Sequence, residues 1–262
     1  MFSALDIAAS GIQAQQTSVD VVSNNLANVS TTGYKREFAQ FSDLLYQNLT
    51  RVGTTSSDTG TIIPSGIQLG LGTQLKSISR DLSQGIPQST AAPLDLAVSG
   101  LGYFQITLPN GSTAYTRDGT FQVSPTGEIV TADGYPLTPN ITIPQDAISV
   151  SINTSGVVEA TIPAQIDPST LGQIQLASFI NPNGLQATGS NLLLETQASG
   201  APVTGTPGID QFGTIQQGFL ETSNVNPVTE ITSLITAQRA YEMNTKVLTA
   251  QDQMMQTLNQ VG

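Results

Sequence analysis

Apolar residues recur every seventh position at both ends of this chain, and the stretch between them is built differently. At the front, Leu5, Ile12, Val19 and Leu26 form one line, with Ala8, Gln15, Val22 and Val29 three places after each. At the back, Leu234, Tyr241, Leu248 and Met255 form another, with Ile231, Ala237 and Leu258 beside them. Stripes this narrow carry too little apolar surface to hold a lone helix, because helical stability comes mostly from packing an apolar face. They suit a coiled-coil seam. The ends are therefore expected to pair with each other, with copies of themselves, or with both. The eight residues of the two main lines are the candidate assembly positions.

The helix ends are written locally. Ser3 can cap a first helix over 3–29, with Asp6 in its first turn. Gly33 suits the left-handed conformation that closes a helix or turn. The last helix is expected to open with Asn226 as cap, Pro227 in the first turn and Glu230 at the positive end of the dipole. Running to about Asn259, it spans roughly 34 residues or about 50 Å. That length fits a coiled coil better than a compact globule. Gln15, Asn244 and Gln251 near the seam are able to set register.

The middle reads in two parts. Residues 34–92 form an extended arm: a short apolar cluster from Phe38 to Tyr46, a Ser/Thr-rich run at 54–61, then strands near Ile67–Leu69 and Leu75–Ile78. From 93 to 223 the period becomes two. Strands are expected at Tyr103–Leu108, Ala114–Arg117, Thr120–Val123, Glu128–Thr131, Ile148–Ile152, Gly156–Ala160, Ile174–Phe179 and Leu192–Glu195. The turns Pro109-Asn110-Gly111, Asp118-Gly119, Ser124-Pro125-Thr126-Gly127 and Ala132-Asp133-Gly134 read as hairpin signals. The expected fold is α+β: residues 1–33 and 224–262 pairing as a helical domain, an extended arm over 34–92, and an inserted, mainly antiparallel all-β domain over 93–223.

Composition narrows the chemistry. The 262 residues include no Cys, His or Trp, so thiol nucleophiles, disulfides, imidazole bases and the common zinc ligands are excluded. No metal or cofactor site is expected. Net charge is −11, and no basic residue lies between Arg117 and Arg239, an interval holding ten acids from Asp118 to Glu230. Such a middle repels phosphate backbones and anionic lipid. Only 10% of residues are charged, which fits faces covered in an assembly. The first basic residue is Lys35 and no continuous apolar run precedes it, so no cleaved signal peptide and no membrane insertion are expected.

Two other readings compete. Asp118, Glu128 and Asp133 share one β-rich stretch, and a carboxylate pair at suitable separation would serve a glycosidase. Asp118 and Asp133 each precede a glycine, however, and turn chemistry accounts for both. A β-rich adhesin or fibre subunit with coiled-coil ends has the same physics without a specific terminal signature.

Two terminal signatures carry a resemblance. The run Ser23-Asn24-Asn25-Leu26-Ala27-Asn28-Val29-Ser30-Thr31-Thr32-Gly33-Tyr34-Lys35-Arg36 resembles the N-terminal signature of bacterial flagellar rod and hook proteins. Ala8 to Gln16 resembles the same family's opening. Glu221-Thr222-Ser223-Asn224-Val225-Asn226 and Gln238-Arg239-Ala240-Tyr241-Glu242-Met243-Asn244 are similar to the start and centre of its last helix. Within these runs Asn24, Asn25, Leu26, Asn28, Gly33, Asn224, Asn226, Gln238, Arg239 and Tyr241 are the signature positions. Leu44–Gln47, Ile63–Gly70, Ala114–Val123 and Glu195–Pro202 look like the distal rod type. The proximal rod protein of similar size and the hook protein are the nearest alternatives.

The resemblance implies a structural subunit of a hollow helical shaft that crosses the periplasm and transmits torque from motor to hook. It implies terminal helices lining an inner tube, β-domains outside, and an arm at 50–80 that stiffens the rod. Implied partners are copies of itself, other rod proteins, the hook protein, the flagellar type III export apparatus and surrounding outer rings. It implies no catalysis and no cofactor.

Overall fold

In a computed structural model, residues 2–50, 66–163 and 167–261 are described. The Ser/Thr-rich run at 54–61 lies outside them, as does the side chain of Leu258. Two long helices bracket the chain, α1 (Phe2–Ala27) and α2 (Pro227–Val261), and every described strand lies between them. The chain divides into two units: residues 1–27, 37–79 and 226–262 form one, residues 28–36 and 80–225 the other.

In the first unit α1 and α2 pack side by side and make its most extensive contact. α1 is described from Phe2, so Ser3 lies within its bounds and its side chain outside the described atoms. It ends at Ala27, so Val29 falls beyond the stripe and Gly33 closes a later turn, at φ +68°. The start of α2 is as expected: Asn226 Oδ1 accepts from the Val228 amide at 3.0 Å and the Thr229 amide at 3.4 Å.

The arm is a paired ribbon. Strands β1 (Glu37–Asp43) and β2 (Tyr46–Thr50) run out; β3 (Ile67–Gly70) and β4 (Thr73–Arg80) run back. β2 pairs with β3 in antiparallel register, Tyr46 opposite Gly70 and Gln47 opposite Leu69. β1 pairs with β4, and the Leu44 amide donates to Gly72 O at 2.9 Å across the break. The sequence hides β1 and β2 because Phe38 and Phe41 are three apart, which breaks the alternation a strand signal needs. A two-stranded ribbon is marginal alone, and this one carries Leu45 at 83% exposure and Leu49, Ile67 and Leu69 also exposed.

The second unit is built from short antiparallel strands. Strands 103–107 and 113–116 form a hairpin through Pro109-Asn110-Gly111, at the centre of a sheet continued by 192–194 and 186–189 on one side and 176–178 and 203–205 on the other. Strand 137–138 also pairs with 103–107, and 149–152, 157–161 and 169–173 make a three-stranded sheet. Pairs 121–123/129–131, 96–99/214–217 and 87–89/219–221 complete the unit. Alternation sorts the side chains. Phe104 and Ile106 enter a core with Leu96, Val98, Ile129, Leu137, Leu176 and Ile215, while Tyr103 faces the other way onto Phe179 and Tyr115.

One turn differs from expectation. Asp118-Gly119 does not close a hairpin, because 113–116 pairs with 103–107 and 192–194, and 121–123 pairs with 129–131. Gly119 instead lets the backbone pass Leu96, whose carbonyl would overlap any Cβ there, and its own carbonyl accepts from the Leu96 amide at 3.0 Å.

Candidate assembly site

Two contacts fix the register of the helical pair. Asn25 Nδ2 donates to Glu230 Oε2 at 3.1 Å, with both residues fully buried. A Cβ on Gly11 would lie 2.9 Å from Asn244 Nδ2, so Asn244 covers the space that glycine leaves. Fourteen residues separate Gly11 from Asn25, and fourteen separate Glu230 from Asn244. The antiparallel register thus holds over two heptads, the behaviour of a coiled coil.

This register identifies the seam. On α1 it runs through Gly11 and Asn25, with Ala14 and Val21 buried between. The expected line of Leu5, Ile12, Val19 and Leu26 lies one residue further round the helix and is only half-buried. The seam residues between α1 and α2 are small or polar, so the bulky flanking line dominates the hydrophobic period. On α2 the expected line is closer: Ala237 is buried, Leu234, Leu248 and Met255 are half-buried, and Tyr241 is 42% exposed. Asn244 lies over Gly11, whereas Gln15 sits on the flank with Ile12 and Val19.

The helices also present apolar surface outward. Ile231, Ile235, Met243 and Val247 are exposed and four or eight residues apart, with Arg239 between. Residues four apart form a continuous ridge on a helix, the feature that fits into the groove of a neighbouring helix. Val228 and Met254 extend it at either end.

The signature amides are staples. Asn25 Nδ2 also donates to Glu37 O at 2.7 Å, and its Oδ1 accepts from the Glu37 amide at 2.9 Å. One side chain thus holds the start of β1 and the start of α2. In the second unit Asn224 Oδ1 accepts from the Arg36 amide at 2.7 Å, and its Nδ2 donates to Asp81 O and Ser83 O. Asn28 Oδ1 accepts from Thr31 Oγ1 at 3.0 Å, making the turn after α1. Gly33 donates to Glu221 O at 2.8 Å and lies so close to Arg117 that a Cβ would sit 2.8 Å from the Arg117 carbonyl carbon. Asn24, Gln238 and Arg239 are exposed, and Leu26 is half-buried.

Sequence reasoning misses Glu221. It is 1% exposed and holds Lys35, 186 positions away, through an Nζ–Oε1 ion pair. Gly85 N donates to the same oxygen at 2.9 Å, and Arg117 Nη1 lies 3.7 Å from Oε2. Arg117 also donates to Val98 O and Gly100 O and stacks over the Tyr103 ring at 5.5 Å. Burial pulls the Lys35 amine below its ordinary value, and the hydrogen bond to Glu221 opposes that shift. Its local signals are a carboxylate in an otherwise apolar strand and its place at the head of the 221–226 run, neither of which names its counter-charges.

Two of the three candidate carboxylates have other tasks. Asp118 Oδ1 accepts from the Thr120 amide and hydroxyl, and Glu128 accepts from Asn140 and Thr126. Asp118 and Asp133 line one cleft of about 40 Å³, room for water and far below the volume of a sugar site. Glu128 does not line it. Among the described residues no group of three or more His, Cys, Asp or Glu could hold a metal, and no helix is long and apolar enough to cross a membrane.

Three family profiles match the chain: a flagella basal body rod protein profile over residues 5–35, the flagellar hook protein FlgE/F/G D1 domain over 97–160, and the flagellar basal body rod FlgEFG protein C-terminal profile over 216–261. The flagellar basal-body rod protein FlgG of Caulobacter vibrioides is 53% identical over 98% of both chains. That of Agrobacterium fabrum is 48% identical over 96% of both, and that of Buchnera aphidicola subsp. Schizaphis graminum is 47% identical over the full length of both. With its paired terminal helices, exposed ridge and ribbon, and matches that run from end to end, the chain belongs to the FlgG family of flagellar basal-body rod proteins.

Proposed function

We propose that the chain is a structural subunit of the flagellar distal rod that polymerises with copies of itself into a hollow helical shaft, carrying torque across the periplasm to the hook. The exposed apolar ridge on α2 carries this reading. A helix whose inner line is already occupied by α1 still presents Ile231, Ile235, Met243 and Val247 to its surroundings. Patches of this kind mark interaction surfaces. The half-buried line of Leu5, Ile12, Val19 and Leu26 on α1 and the bare ribbon offer further surface to neighbouring copies.

In this reading Leu5, Ile12, Val19, Leu26, Leu234, Tyr241, Leu248 and Met255 contribute to assembly, directly or by holding the helical pair. Residues 1–33 with 224–262 serve as the inner domain, 34–92 as the arm and 93–223 as the outer domain. Other rod proteins and the hook protein sit at the ends of the shaft, outer rings surround it, and the type III apparatus delivers the subunit. The subunit performs no catalysis and takes no cofactor.

Complementation tests the reading. A flagellated bacterium lacking its own distal rod protein should regain hooks and swimming when supplied with this chain, and should not when supplied with an Ile235→Asp, Val247→Asp variant that is made at the same level. Restoration of swimming by both would remove the ridge from assembly. Restoration by neither, with both chains reaching the periplasm, would count against the distal rod assignment.

A further inference from the structure

The chain contains two Asn-Gly pairs, Asn110-Gly111 and Asn183-Gly184, and the fold treats them differently. Asn110 sits at the tip of the 103–107/113–116 hairpin, where it and Gly111 are exposed. Gly111 has φ +81°, and a Cβ there would meet no atom within 4 Å, so no other part of the chain packs on this side of the tip. Asn110 Oδ1 accepts two hydrogen bonds, from the Ser112 amide at 3.0 Å and from Ser112 Oγ at 2.7 Å. Two donors on one amide oxygen draw electron density from Cγ. The next nitrogen in the chain is the Gly111 amide, which donates to Leu108 O at 2.9 Å on this exposed turn, and attack on that carbon requires this one bond to open.

Asn183 has the same neighbour and a different setting. Its Oδ1 accepts from the Arg80 amide at 3.1 Å. Gly184 ends the 3₁₀ turn Pro182–Gly184, and its carbonyl accepts from Thr196 Oγ1 at 2.7 Å. A Cβ on Gly184 would lie 2.6 Å from the Ala198 carbonyl carbon and the Ser199 nitrogen. The peptide after Asn183 is therefore wedged against another backbone and cannot rotate without opening the fold.

We propose that Asn110 is a site of spontaneous modification, a deamidation through a cyclic imide, and that the fold protects Asn183 from the same reaction. The Gly111 nitrogen gives its proton to water or hydroxide and bonds to Asn110 Cγ. The bond from Cγ to the side-chain nitrogen breaks, and that nitrogen leaves as ammonia with a proton from solvent. Water then adds to either carbonyl of the five-membered ring and opens it, giving aspartate or isoaspartate at position 110. The net change is one water consumed and one ammonia released, with no oxidant or reductant. The product adds an anion to a unit that already lacks basic residues after Arg117. The isoaspartate form also inserts a backbone methylene into the hairpin tip, between the anchors Leu108 and Ser112.

The test uses the full-length protein, incubated folded at mildly alkaline pH in water enriched in heavy oxygen, then digested and mapped by mass spectrometry. Heavy oxygen is expected at position 110, mostly as isoaspartate, with Asn183 intact. In the denatured chain both positions are expected to react. Gly111→Ala should slow conversion at 110 several-fold by crowding the attacking nitrogen, and Ser112→Ala should slow it by removing the hydroxyl donor to Oδ1. An Asn110 that stays intact in the folded protein while reacting in the denatured one overturns the proposal, as do equal rates at 110 and 183 in the folded protein. Neither outcome bears on assembly, so this inference and the rod assignment fail separately.

Discussion

Asn25 and Glu230 are 205 positions apart in sequence and meet in the interior of the helical pair, amide nitrogen to carboxylate oxygen at 3.1 Å. The same amide closes two bonds to the backbone of Glu37. Asn25→Ala leaves the Glu37 amide and carbonyl without this partner and takes a donor from a buried carboxylate. With each buried, unsatisfied polar group costing about 1–3 kcal/mol, a loss of roughly 3 kcal/mol is expected in denaturant melts followed by helical dichroism. An unchanged midpoint would show that Asn25 does not hold the pair.

Glu221 serves the second unit in the same way, with charge. Glu221→Gln keeps its shape but leaves Lys35 and Arg117 buried without their anion, and breaking such a pair costs about 3–5 kcal/mol. Adding Lys35→Met should return part of that loss, because it removes one uncompensated cation. Stability measured for the two single variants and the double should therefore be clearly non-additive.

Two glycines with steric reasons should respond differently to alanine. Gly33 is at φ +68° and faces backbone atoms of Arg117, which cannot move aside. Gly33→Ala should cost roughly 2–4 kcal/mol from strain and clash together. Gly11 faces only the flexible end of Asn244. There alanine gains about 1 kcal/mol of helix propensity, which offsets the displaced amide, so Gly11→Ala should be close to neutral. Gly11→Leu should separate the helices and lower helical dichroism.

The alkaline limb reports the buried phenols. Burial raises the Tyr103 hydroxyl above its ordinary 10.0, against a smaller pull from Arg117, and burial raises Tyr115 as well. Between the unfolded and folded values the folded state binds more protons, so this stabilisation is complete below pH 10 and is lost as pH rises through the folded values. Lys35 acts in the other direction: its folded value is depressed, so stability rises between that value and 10.5. Tyr103→Phe separates the two. Its stability should fall less steeply above pH 10 than that of the parent chain.

Much of this architecture is legible in the residues. Asn226-Pro227 opens α2, Pro109-Asn110-Gly111 turns a hairpin, and alternation around Phe104 and Ile106 marks a strand with one face inward, because each is a local effect. What stays hidden depends on distant partners. The α1 seam escapes because Gly11 and Asn25 have no hydrophobic signature of their own and become a seam only opposite Asn244 and Glu230. The ribbon strands escape because β1 and β2 gain their pairing from residues 67–80. Glu221 escapes because its counter-charges come from residues 35 and 117. The amides at 24–28 and 224–226 were legible as a signature, but their individual staples were not.

The most direct test of the central claim is sedimentation and negative-stain microscopy of the purified full-length chain over a concentration series, alongside the Ile235→Asp, Val247→Asp variant. The account predicts tubes or long fibres from the parent chain above a threshold concentration, and a variant that melts like the parent monomer but stays monomeric. A parent chain that remains a monomer at every concentration, or a variant that assembles equally well, would contradict it.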